Sequence, residues 1–142
     1  MHVSPKSAYE KTSGMAFFPR MLDKLRLHAQ GKLHPDYHPN LGTRADGWCL
    51  DFLRINYSDL KARTLAGGTD EEILQWCYQN GRALNEGDLN VWNGYILKVG
   101  WRDAATPRVQ QAKSNNGLGH RDDILTMPDF FDADEGRPPQ PH

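Results

Sequence analysis

Three histidines and a cysteine crowd into one stretch of this 142-residue chain: His28, His34, His38 and Cys49. Imidazole and thiolate are good ligands for zinc and other divalent metals, so His28, His34 and His38 are candidate metal ligands. Alternatively, Cys49 is a candidate nucleophile with His38 as its base, because a nearby imidazolium lowers a thiol pKa. The spacing matches no recognised metal signature. Pro35 and Pro39 push His34 and His38 into extended conformations and deny them a shared helical face. The plainer reading is one packed histidine, His28, and two loop histidines. Cys49 sits among Trp48, Leu50 and Phe52, which points to burial, and Cys77 reads as a core thiol.

A second polar set lies further on: Asp132, Asp134, Glu135 and Arg137. Alternating carboxylates can hold a hard cation such as magnesium, and two carboxylates in different environments can divide acid and base roles. The glycine and glutamate positions do not fit an EF-hand. The favoured reading is a salt-bridge lock in which this acidic turn meets Arg20, Lys24 or Arg26. The glycines stand singly or in pairs at helix ends, and none forms a phosphate loop or a dinucleotide fingerprint.

Helices must position these groups. Phe18, Met21, Leu22, Leu25 and Ala29 share one face at helical spacing, which predicts a helix over 17–30 that Pro19 starts and Gly31 stops. Leu27 falls on the opposite side, so this helix contacts neighbours on two sides. Residues 31–47 read as a long Pro/Gly-containing loop. Asp46 is expected to cap a short helix through Ile55, and Asn56 the next. Thr69-Asp70-Glu71-Glu72 is a capping box, and Asn85 with Asp88 opens a further helix. That helix carries the stripe Val91, Trp92, Tyr95, Ile96 and Val99. Thr106 is expected to cap another, with Pro107 at its first helical position, and Asp122 starts the last, through Ile124, Leu125, Phe130 and Phe131, with Pro128 kinking or restarting it. No stretch alternates long enough to make a strand. The fold class is all-α, an orthogonal bundle of about six or seven short helices.

Composition bounds the rest. Hydrophobic residues make up 38% and charged residues 25%, which is globular rather than disordered. A net charge of −1, without basic residues interleaved with aromatics, argues against nucleic acid as a partner. The charge is uneven. Lys6, Lys11, Arg20, Lys24, Arg26 and Lys32 make residues 1–34 basic, whereas residues 122–137 are strongly acidic. These read as two solvated faces, or else as ends that attract each other within a chain or between chains. No signal-peptide pattern or membrane-length apolar run is visible, and two cysteines make no disulfide framework. Residues 1–137 are expected to form one domain, and the Pro-rich segment 138–142 a flexible tail.

Several blocks carry a resemblance. Phe18-Pro19-Arg20-Met21-Leu22-Asp23-Lys24, Asp36-Tyr37-His38-Pro39-Asn40, Trp48-Cys49-Leu50-Asp51-Phe52-Leu53, Trp92-Asn93-Gly94, Arg121-Asp122-Asp123-Ile124 and Asp132-Ala133-Asp134-Glu135-Gly136-Arg137 stand in order along the chain. Over nearly its whole length the sequence resembles a bacterial family, domain-of-unknown-function family 5069. The resemblance implies a bacterial, cytoplasmic, single-domain protein and brings no activity with it. The functional expectation is a small binding or regulatory module for a protein partner or a metabolite, a monomer or small homo-oligomer. The loop bearing the histidines is expected to close over a pocket near the first helix and the acidic turn. The alternative is a small enzyme, metal-dependent or Cys/His-based, using region 28–49 and holding a divalent metal if any cofactor.

Overall fold

The structure is a computed structural model that describes residues 1–141. Among the described residues it holds seven α-helices and one short hairpin, a mostly helical bundle. The hairpin comes first. β1 (Lys11–Thr12) and β2 (Met15–Ala16) pair antiparallel, with Lys11 opposite Ala16 and Thr12 opposite Met15. Ser13 and Gly14 form the turn with φ of 47° and 85°, the left-handed pair a two-residue connection requires. Strands of two residues are too short to show alternation, so the sequence reading has no strand here. The hairpin is fastened from outside. Asn93 accepts the Ala16 N–H and donates to the Gly14 carbonyl, and the Trp92 indole N–H donates to the Ala16 carbonyl.

Seven helices follow: α1 (Phe18–Ala29), α2 (Ala45–Leu53), α3 (Tyr57–Leu65), α4 (Asp70–Asn80), α5 (Glu86–Ile96), α6 (Thr106–Asn115) and α7 (Met127–Asp134). α1 is the central element. Phe18, Met21, Leu22 and Leu25 are buried on one side and Leu27 on the other, while Ala29, in the last turn, is exposed. Asn56 caps α3, and reciprocal capping boxes open α4 at Thr69 and Glu72 and α5 at Asn85 and Asp88. On α5 only Trp92 and Ile96 of the expected stripe are buried, with Val99 beyond. Val91 and Tyr95 face outward, because α5 packs through one narrow edge against β2.

Three helix starts differ from expectation. α2 opens behind Arg44, whose side chain makes no cap, and Asp46 lies within its first turn. α6 begins at Thr106 itself, whose hydroxyl accepts the Asp103 N–H. α7 starts not at Asp122 but after Thr126, which accepts the Asp129 N–H, with Pro128 in the first turn. Pro128 thus restarts the helix, and Leu125 is left exposed. The long loop also contains structure. Pro35–Asn40 is a 3-10 segment, so His38 lies in a helical turn and only His34 keeps the extended conformation.

The larger core gathers α1, the hairpin and the inner faces of α2 to α5, and a smaller one joins Val109 of α6 to Ile124 and Phe130. No helix among the described residues is long and apolar enough to cross a membrane. The Gln140 amide donates to Asp132 at 3.3 Å, so this part of the Pro-rich segment touches α7, while His142 lies outside the described residues.

Candidate functional site

The acidic turn ending α7 is tied to α1. The two terminal nitrogens of Arg20 donate to the two oxygens of Glu135 at 2.9 and 2.8 Å, and both side chains are only 3% exposed. The Arg20 Nη1 also reaches the Lys6 carbonyl, and its guanidinium lies 4.5 Å from the centre of the Phe131 ring. Glu135 further accepts the Tyr37 hydroxyl at 2.8 Å and a guanidinium N–H of Arg137. Burial pushes its carboxyl up. The hydrogen bonds and charge of Arg20, with those from Tyr37 and Arg137, outweigh that and hold it below its ordinary value. Arg137 closes the ring by donating to the Pro5 carbonyl, and Asp132 accepts the Ser7 hydroxyl. The basic and acidic ends therefore meet within one chain rather than standing as separate solvated faces. Of the three expected partners only Arg20 makes the lock. Lys24 goes to Asp46 at 2.7 Å and Arg26 to Asp70 at 2.6 Å.

The Lys24–Asp46 pair is the second internal brace. Lys24 is pulled below its ordinary pKa, mainly by burial, with the Asp46 charge working against the shift. Asp46 also accepts the Gly42 N–H and so folds the loop onto α2. Gly42 has φ +73°, and a Cβ there would stand 2.7 Å from the Tyr57 ring, which explains a glycine at this bend.

Between these braces opens a cleft of about 360 Å³, a volume suited to a small molecule. Its apolar lining includes Phe17, Trp48, Ile96, Val99, Met127 and Phe131. The residues before α2 and those of the 3-10 segment form one side, α7 and α6 the others. Arg20 and Lys24 line it with their charges already paired. Four further charged residues line it: Arg44, Arg108 and Asp134, which make no salt bridge among the described residues, and Asp36, whose exposed carboxylate lies 3.6 Å from the His34 Nδ1. Arg44 stands at φ 51°, ψ −124°, a region a non-glycine residue occupies under strain of about 1–3 kcal/mol. Asp134 is raised above its ordinary value, first by burial, then by Glu135 and by Asp36.

The expected metal ligands do not form one set. His28 pairs edge-on with His38 at 4.6 Å between ring centres, whereas His34 pairs with His2 at 4.8 Å. The Nε2 of His38 lies 3.1 Å from the Leu33 carbonyl, which can only accept, so that nitrogen carries a proton. The Nδ1 of His34 accepts the Asp36 N–H. Among the described residues no group of three or more His, Cys, Asp or Glu is placed to hold a metal ion, and that includes Asp132, Asp134 and Glu135. Cys49 is fully buried in the larger core, and burial pushes its thiol well above the ordinary value. Such a thiol is poorly ionised and out of reach of substrate. Cys77, buried on α4, is pushed up to about 12.

The cleft itself has the position expected of the pocket, beside α1, under the loop and against the acidic turn, but no histidine lines it. Its rim residues Arg44 and Arg108 are missed by sequence reasoning, since each is a single arginine in a polar stretch. The blocks 36–40 and 48–53 contain Asp36, Tyr37, Asn40 and Trp48, and these do line it.

A helical bundle with a cleft braced by buried ion pairs is the class of protein the geometry defines. The chain belongs to the family described as "Domain of unknown function (DUF5069)", whose sequence model matches residues 2–137. A search of curated proteins finds no match.

Proposed function

We propose that this protein is a small-molecule-binding module whose ligand enters the cleft between α1, the 3-10 segment, α6 and α7. The observation that carries this reading is a cleft of about 360 Å³ with an apolar lining and unpaired charges. Its walls are fixed by Arg20–Glu135 and Lys24–Asp46. Fixed walls leave little to be ordered on binding, which favours affinity for a small ligand. A binding role is favoured over an enzymatic one because the buried Cys49 and the dispersed histidines offer no activated nucleophile or base. Two free, buried thiols support a reducing, cytoplasmic setting.

The test is native mass spectrometry of the protein mixed with a small-metabolite extract, beside the cleft-filling variant Ala112→Trp. Binding by the wild type that disappears in a folded Ala112→Trp is the expected result. Adducts that persist in Ala112→Trp would place the ligand elsewhere and overturn the reading.

A further inference from the structure

Two sides of the cleft are pinned by buried ion pairs, Arg20–Glu135 between α1 and the end of α7 and Lys24–Asp46 between α1 and α2. The side made by the 3-10 segment, with its flanking residues His34 and Leu41, makes no ion pair to a helix among the described residues. None of its residues is buried. Tyr37 and Leu41 are half-buried and the others are exposed. Its backbone hydrogen bonds stay inside it, from the Tyr37 N–H to the His34 carbonyl and from the Leu41 N–H to the His38 carbonyl. Pro35 and Pro39 stiffen it. Such a piece can move as a unit without breaking its own bonds. One extended residue stands at each end, His34 at φ −59°, ψ 139° and Leu41 at φ −62°, ψ 123°. Beyond them the chain is fastened again, because Leu33 is buried and the Gly42 N–H donates to the buried Asp46. A few residues at the ends of an element are enough to absorb the dihedral change of a hinge.

Little holds this segment against the body. The Tyr37 hydroxyl donates to Glu135 at 2.8 Å, and the His38 ring meets His28 of α1 edge-on at 4.6 Å. The bonds from His38 Nε2 to the Leu33 carbonyl and from the Thr43 hydroxyl to the Pro39 carbonyl lie beside the two ends, where a swing displaces atoms least. A region with few buried apolar contacts opens at much lower cost than the whole fold. Asp36, Tyr37 and Asn40 line the cleft, and so does Glu135, so the Tyr37 bond joins two of its sides. We infer that residues 34–41 are a hinged gate to the cleft, closed in this structure by the Tyr37–Glu135 hydrogen bond and swinging about His34 and Leu41 to admit ligand. The role as a gate rests on the proposed small-molecule reading of the same cleft, whereas the motion itself is measured without ligand.

The experiment is a pulsed dipolar distance measurement between spin labels on Asp36→Cys of the gate and Gln111→Cys of α6. A second pair, Lys61→Cys of α3 with Asn90→Cys of α5, reports on the body. All four positions are exposed, and the native Cys49 and Cys77 are fully buried, so the labels go to the introduced thiols. Each pair is measured with and without Tyr37→Phe. This variant keeps the ring and leaves Glu135 its bonds to Arg20 and Arg137, so its effect is confined to the gate. Losing a hydrogen bond to a charged acceptor should raise the ratio of open to closed gate by roughly tenfold or more. The expected result is a second, longer gate distance that grows in Tyr37→Phe while the body distance stays unchanged. A gate distance identical with and without Tyr37→Phe would make the segment a fixed wall and overturn the inference. A body distance that broadens together with the gate distance would show general loosening and overturn it too. Persistent adducts in Ala112→Trp would remove the small-molecule reading and the gate's role with it, but would leave the measured distances unchanged, so the two failures are told apart.

Discussion

Glu135→Gln removes one charge from the lock while keeping its shape. In the wild type, Arg20 and Glu135 are each 3% exposed and share two hydrogen bonds at 2.8 and 2.9 Å. The variant leaves the Arg20 guanidinium buried without its counter-charge, and Arg137 loses one of its partners while keeping Asp132 at 3.6 Å and the Pro5 carbonyl. Breaking a buried pair in this way costs about 3–5 kcal/mol. For a chain of this size that lowers the melting temperature by on the order of 10–20 °C. The effect depends on pH with a definite sign. The Glu135 carboxyl is held below its unfolded value of 4.5, so the folded state binds that proton more weakly than the unfolded state. Its contribution is present above that unfolded value and is lost as pH falls through the lower folded value. Chemical denaturation of wild type and variant across acid and neutral pH measures this. The gap should be full at neutral pH and close in acid. A gap below about 1 kcal/mol at neutral pH, the value for an exposed pair, would refute the buried lock.

Three further outcomes follow from the same geometry. Arg44→Gly relieves backbone strain of about 1–3 kcal/mol against a glycine entropy term of about 0.5–1 kcal/mol, so it should stabilise the fold by up to about 2.5 kcal/mol in urea unfolding. Lys24→Met strands the buried Asp46 carboxylate and should destabilise by about 3 kcal/mol or more, read by the same unfolding assay. Neither Cys49 nor Cys77 should react with a thiol reagent in the native protein, and both should react at once in denaturant, because burial keeps both thiols protonated.

What the sequence made legible was local. Thr69 with Glu72, Asn56, and Asn85 with Asp88 cap their helices through side chains within three residues, so the signal is contained in a short window. The α1 stripe was visible for the same reason, and Leu27 correctly announced a second buried side. The hairpin was not visible, because its two-residue strands are fixed by Trp92 and Asn93 far along the chain. Arg20, one of three cations considered for the acidic turn, could be singled out only by the tertiary arrangement that sends Lys24 to Asp46 and Arg26 to Asp70. The histidines drew attention by residue type. Yet the cleft they were expected to guard is lined by charged, aromatic and aliphatic side chains from five separate segments, which no spacing rule unites.

The four tryptophan indole N–H signals of the protein report directly on whether ligand enters the cleft. Trp48 lines the cleft, Trp92 is buried and bonded to the Ala16 carbonyl, and Trp76 and Trp101 are not among the lining residues. A two-dimensional nitrogen–proton spectrum is recorded while a panel of small metabolites is titrated in. A compound bound in the cleft should shift the Trp48 signal while Trp76 and Trp101 stay in place. Compounds that bind yet shift Trp101 or Trp76 and leave Trp48 unmoved would contradict it.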